Sequence, residues 1–77
     1  MFKIKVKNTI EQNGIKSIAG ICENLNEFAG QIRSKDGQVY SATYAIGRDL
    51  IPGNQIEVFR VYGDIDLKSI EGETLTS

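Results

Sequence analysis

Apolar and polar residues alternate along most of this chain with a period of two. Phe2, Ile4 and Val6 are separated by Lys3, Lys5 and Lys7, which predicts a half-buried strand with one wet face. Asn13-Gly14 follows, a dipeptide suited to the two positive-φ positions of a type I′ turn. Ile15 to Cys22 predicts the next strand, with Ile18, Gly20 and Cys22 on one parity and Ala19 and Ile21 on the other. Gly20 inside that run marks a bend or bulge. Glu23 to Glu27 reads as a loop. The best helical candidate, Ser17 to Phe28, is weakened by Gly20, Asn24 and Asn26.

Ala29 to Lys35 predicts a strand around Ile32, closed into a hairpin by Asp36-Gly37. The returning strand carries Tyr40, Ala42, Tyr44 and Ile46 on one face, and Val39, Ser41, Thr43 and Ala45 on the other. Gly47 to Ile51 reads as a connection and Pro52-Gly53 as a type II turn. In the β-branched and aromatic run Gln55 to Tyr62 the alternation slips after Val58, which predicts a bulge near Phe59-Arg60. Gly63-Asp64 fits a II′ turn into a last strand with Ile65, Leu67 and Ile70, and residues 71–77 read as a frayed tail. The candidate core is Ile32, Tyr40, Ala42, Tyr44, Ile56, Val58, Val61 and Leu67. The expected fold class is all-β, a small five- to six-stranded OB-like β-barrel with little or no helix.

Composition narrows the chemistry. A chain of 77 residues is one small domain. It has no His, which removes the commonest general base and metal ligand and excludes His-dependent triads and dyads. Its one Cys, Cys22, cannot form an internal disulfide or a thiolate cluster and reads as a buried strand thiol. Asp64 and Asp66 share a strand face, with Glu57 or Glu71 as further carboxylates, but their spacing is not that of a calcium loop. No catalytic residue, cofactor or metal is expected.

The formal charge is −1, unlike that of a general nucleic-acid binder. It is unevenly spread. Lys3, Lys5, Lys7 and Lys16 outnumber Glu11 in residues 1–22, whereas five carboxylates face Arg60 and Lys68 in residues 57–77. The lysine row has two readings: contact with phosphates or anionic lipid heads, or protection of an edge strand against unwanted pairing. Tyr40 and Tyr44 likewise read as base-stacking rings or as core, and sharing a parity with Ala42 and Ile46 favours core. The opposite face, with Gln31, Arg33, Lys35, Val39, Ser41 and Thr43, has two cations and no ring, a poor platform for single strands. Leu25 and Phe28, and Arg48 with Leu50 and Ile51, are the loop positions where side chains either cap the barrel or form an exposed partner-binding patch. The longest charge-free stretch, Gly37 to Gly47, is too short to span a bilayer, and the start has no continuous apolar run, so a soluble, cytoplasmic domain without a signal peptide is expected.

From about Gly20 to Ile70 the residues resemble the soluble C-terminal domain of the NfeD-like family. The resemblance rests on an ordered series: Gly20-Ile-Cys-Glu-Asn-Leu25, Gly30-Gln-Ile32, Asp36-Gly37, Tyr40-Ser-Ala42, Ile51-Pro-Gly53, Ile56-Glu-Val58-Phe-Arg-Val61, then Gly63 and Leu67. It implies an OB-like barrel at residues 16–70, preceded by an added strand or hairpin arm at 1–15. It further implies a non-catalytic interaction domain working with a stomatin- or flotillin-like membrane scaffold protein in membrane organisation or control of membrane proteolysis. The family's membrane helices and serine protease domain have no counterpart in these residues, so the resemblance implies either a domain excised from a membrane-anchored parent or a short soluble member. The rival reading is an OB-fold module for single-stranded nucleic acid, and an enzyme is the least supported.

Overall fold

The alternation that opens the chain becomes a ten-residue strand, β1 (Lys3–Gln12). Phe2, Ile4 and Val6 are fully buried while the lysines between them face solvent. Asn13 and Gly14 turn the chain with φ of 54° and 77°, the signs a type I′ turn requires. The remaining elements are β2 (Ile15–Glu23), a 3-10 turn (Leu25–Glu27), β3 (Gln31–Arg33), β4 (Val39–Ile51), β5 (Asn54–Val61), a single-turn helix α1 (Leu67–Ile70) and β6 (Thr74–Thr76). This computed structural model describes residues 1–51 and 54–77, with side chains described outside 46–54.

The strands close into an antiparallel barrel in the order β1-β2-β5-β4-β3-β6. The meander β3-β4-β5 is followed by β6, which returns to lie beside β3, a Greek key. The fold class is thus the expected one, a small all-β barrel with six strands and one short helix. Its winding accounts for the two connections that are not hairpins. β2 ends at Glu23 opposite Lys3, and β5 ends at Val61 opposite Lys16, so the chain leaves at opposite ends of β2. The 3-10 turn lies at the first end, where Leu25 and Phe28 pack on the core. At the second, Ile65, Leu67 and Ile70 are buried.

Three rings form the centre. Phe2, Phe28 and Phe59 lie pairwise 4.8–5.6 Å apart, tilted or edge to face. Such pairs contribute roughly 0.5–1.5 kcal/mol each beyond the area they bury. Ile4, Val6, Ile18, Ile32, Ala42, Val61, Ile65, Leu67, Ile70 and Leu75 surround them, and Tyr40 packs against the cluster half-buried.

Several expectations need correction. The segments read as an arm and a frayed tail are both paired. β1 runs between β2 and β6, and Thr76 lies opposite both Lys3 and Arg33. Leu75 is buried, so the apolar residue in the polar tail supplies the strand that closes the wall. In β5 there is no bulge at Phe59-Arg60, since Gly20 to Lys16 pair without a break with Glu57 to Val61. Glu57, Phe59 and Val61 point inward, and the assumed core residues Ile56 and Val58 are only half-buried on the outer side. Matching the β-branched positions to the core failed because a buried Glu takes an inward place. Register shifts lie instead between Val6 and Asn8, between Tyr44 and Ile46, and between Asp49 and Ile51. The second sits at the rim, where Tyr44 keeps its ring 5.3 Å from Phe59 but leaves 43% of itself exposed, so it is not core. Gly47 to Ile51 is not a connection, because β4 continues to Ile51 opposite β5.

Ile65 to Ile70 is no strand. Asp66 caps α1 by accepting from the Lys68 backbone N–H at 3.2 Å, and one helical turn puts Leu67 and Ile70 on one side. At the second hairpin only Gly37 has positive φ, so Lys35-Asp36-Gly37 forms a three-residue loop, in place of a two-residue I′ turn. Gly63 has φ 103° at its expected turn. The Pro52-Gly53 turn lies outside the described residues.

Candidate interaction surface

The loop residues expected to bind a partner do not form one patch. Leu25 and Phe28 are half-buried and turned onto the core. Their loop is tied to the chain's start: Asn24 Nδ2 donates to the Met1 carbonyl at 3.0 Å, and the Met1 amino group lies 3.0 Å from Glu27 Oε1. They cap the barrel. Arg48 and Ile51 lie in β4 opposite Ile56 and Asn54, and Leu50 falls in a register shift of that strand. Their side chains lie outside the described residues.

Exposed apolar side chains appear elsewhere. Across β1, β2 and β5 the outward positions include Ile10, Ile15, Ile21, Val58 and Tyr62. Ile10, Ile15 and Tyr62 are 55%, 44% and 46% exposed. The pairing puts Ile10 opposite Ser17 and Ile15 opposite Gln12, so the two isoleucines are diagonal neighbours on one face. Ala19 and Val58 lie opposite one another farther along the same wall. Alternation alone puts Ile15 and Ile21 outside. It does not do so for Ile10, which shares the parity of Phe2, Ile4 and Val6. The extra residue at Lys7 flips everything beyond it. Tyr62, just past β5, turns instead toward β4, its Oη 3.2 Å from the Oγ1 of Thr43, which lies opposite Arg60.

At the barrel rim a carboxylate is buried without a cation beside it among the described residues. Glu57 is 4% exposed and accepts from Tyr44 Oη at 2.8 Å and from Gln55 Nε2 at 3.1 Å. The hydrogen bond to Glu57, then burial, then its charge, hold the Tyr44 phenol above the usual range. Burial, and then the charge of Glu57, push the Cys22 thiol from 9.0 up to about 11. This is the opposite of an activated nucleophile. With the pKa raised, the thiolate is scarce until the pH approaches 11. At pH 8 we expect iodoacetamide to label folded Cys22 on the order of 100-fold more slowly than the urea-unfolded chain. Equal rates, followed by mass spectrometry, would contradict this environment.

Below α1 lies a cavity of about 400 Å³, lined in part by Asp36, Tyr40, Asp64, Asp66 and Glu73. Glu73 Oε1 is buried there without a hydrogen bond, 3.5 Å from Lys35 Nζ. The Ser34 hydroxyl donates to Asp36 and holds its carboxyl below the usual range. Asp64 and Asp66 thus line one cavity with Asp36 and Glu73, and Glu57 is not in its lining. Among the described residues no acidic or Cys cluster is arranged to hold a metal ion, and no helix is long and apolar enough to cross a membrane. Compared with known proteins, the chain matches no family model, no curated protein and no solved structure.

Proposed function

We propose that this chain is a non-catalytic protein-interaction domain of NfeD type, acting with a stomatin- or flotillin-like membrane scaffold protein in membrane organisation or control of membrane proteolysis. The observation that carries the interaction reading is the apolar outer wall at Ile10 and Ile15, exposed diagonal neighbours on β1 and β2, with half-buried Val58 farther along it. Solvated β-branched residues clustered on a sheet face mark a surface that gains by being covered. The choice of partner and membrane process rests on the series of residues from Gly20 to Leu67. The inert Cys22 and the lack of His support a role without bond-making. In this reading the domain works in the cytoplasm, and an anchor belongs to a longer parent.

The test is an NMR titration of the chain with a stomatin-class domain. The double variant Ile10→Ser/Ile15→Ser should weaken binding by at least about tenfold, because two half-exposed aliphatic anchors are lost at a cost near 1 kcal/mol each. Its thermal midpoint should stay within a few degrees of the parent, since both side chains already face water. Unchanged partner affinity would remove this wall from the interface.

Tyr62 gives the rival reading one specific support. With Thr43 and Arg60 it puts a ring and a cation on the β4-β5 wall. One stacking platform is few for a single-strand binder. Titration with oligonucleotides at low salt, with Tyr62→Ala as the variant, separates the readings. Tight, ring-dependent binding would favour the nucleic-acid module.

A further inference from the structure

The lysines of β1 acquire a meaning from β6. Lys3 lies opposite Thr76 and Lys5 opposite Thr74, and on its other side Thr76 lies opposite Arg33 of β3. Leu75, Ile4 and Ile32 point inward and are buried, so Thr74, Lys3, Lys5 and Arg33 project outward. Lys7, at the bulge, is exposed beside them. At strand spacings near 4.8 Å and residue pairs near 7 Å, these cations sit on one face about 10 Å wide across the strands and about 14 Å long, with Thr74 and Thr76 on the strand between them. Among the described residues Lys3, Lys5, Lys7 and Arg33 make no ion pair. Carboxylates stand at the margins of the face: Glu23 lies opposite Lys3 on β2, Glu27 pairs with the Met1 amino group, Glu73 pairs with Lys35 beside β6, and Glu71 accepts from Thr9 farther along β1.

We infer that the outer face of β3-β6-β1 docks on an anionic lipid surface. Concentrated positive charge on a chain of net charge −1 points to an anionic partner met by one face and not by the whole molecule. Apolar side chains stand at the margins as well. Ile21 lies opposite Lys5, Val39 lies opposite Arg33, and both are exposed. Lysines and an arginine at phosphate level, with aliphatic side chains beside them to enter the headgroup boundary, suit a leaflet. Among the described residues no aromatic ring lies on this face, so it lacks what holds single-stranded bases. The protection of an edge strand is a weaker account of the lysines here, because β1 at Lys3 and Lys5 is paired on both sides.

The test is co-sedimentation of the 77-residue chain with vesicles of phosphatidylcholine alone and with about one-third phosphatidylserine, at low and high salt. We expect binding only to the anionic vesicles, reversed by salt. A basic residue near such a surface changes partition about fivefold, so Lys3→Gln/Lys5→Gln/Arg33→Gln should lower it about 100-fold. Lys68→Gln, on exposed α1, should leave it unchanged. Circular dichroism of each variant confirms that the barrel is retained. No anionic binding at low salt, or binding that survives the triple variant, overturns the inference. So does binding to duplex or single-stranded oligonucleotides in preference to vesicles, which would assign the face to nucleic-acid phosphates. The Ile10→Ser/Ile15→Ser variant should still bind vesicles, so the two surfaces fail or succeed separately.

Discussion

Alanine at Gly20 should destabilise the barrel by about 3 kcal/mol or more, although it adds one methyl group. Gly20 lies opposite Val6, beside the bulge of β1. A Cβ at this position would sit 2.0 Å from the Lys5 carbonyl oxygen and 2.8 Å from its carbon, with Ile4 Cγ1 at 3.0 Å. The first two obstacles are backbone, so no rotamer change relieves them, and β1 and β2 must separate where Ile4 and Val6 are buried. A domain this small has a total stability of roughly 4–12 kcal/mol. A thermal midpoint lower by at least about 12 °C is therefore expected, at about 4–8 °C per kcal/mol. Gly14→Ala is the comparison. Nothing lies within 4 Å of a Cβ there, and only the positive φ of 77° opposes it, a cost of about 1–2 kcal/mol. Equal midpoints for the two variants in thermal denaturation would show that β1 and β2 do not approach so closely at Gly20.

Deleting residues 73–77 should abolish cooperative unfolding. These residues look dispensable from composition, with one Leu among polar neighbours. In the barrel, β6 lies between β1 and β3 and pairs with both. Leu75 is buried in the core, and the Val6 N–H donates to the Glu73 carbonyl at 2.9 Å. Leu75→Ala alone should cost about 2–4 kcal/mol through lost burial and the cavity left behind. The deletion adds the loss of the ladder and opens two strand edges to water and to other chains. Calorimetry should show a broad, weak transition with concentration-dependent aggregation. A sharp transition at the parent midpoint would mean that the tail contributes nothing to the wall.

The two experiments probe different kinds of information. Gly20 was legible as an irregularity, because glycine inside a strand signals a bulge or a close approach. Which strand approaches it was not, since that depends on the pairing partner. The exposed wall divides the same way: Ile15 and Ile21 follow from alternation in β2, while Ile10 needs the bulge at Lys7. Glu57 shows the limit most clearly. Alternation puts apolar residues inside, and a carboxylate between Ile56 and Val58 reads as outward. It is tolerated inside because Tyr44, 13 residues away, and Gln55 donate to it. Gln55 shares the parity of Glu57 within β5, but Tyr44 comes from β4 and cannot be assigned from local pattern.

By itself the sequence determined the class of this protein: short alternating strands, turns at Asn13-Gly14, near Gly37 and at Gly63, no helical period long enough for a bundle, and no His for the commonest catalysis. These are properties of adjacent residues, where backbone sterics and side-chain parity act. The tertiary structure alone decided which residues share a surface. It turned the lysine row and Arg33 into one basic face by placing β6 between them, made the tail a structural strand, and brought Leu25 and Phe28 onto the core. Those outcomes depend on barrel closure, which joins residues as far apart as Lys3 and Thr76. No local pattern encodes a pairing at that separation, because its free energy comes from burying the whole core at once.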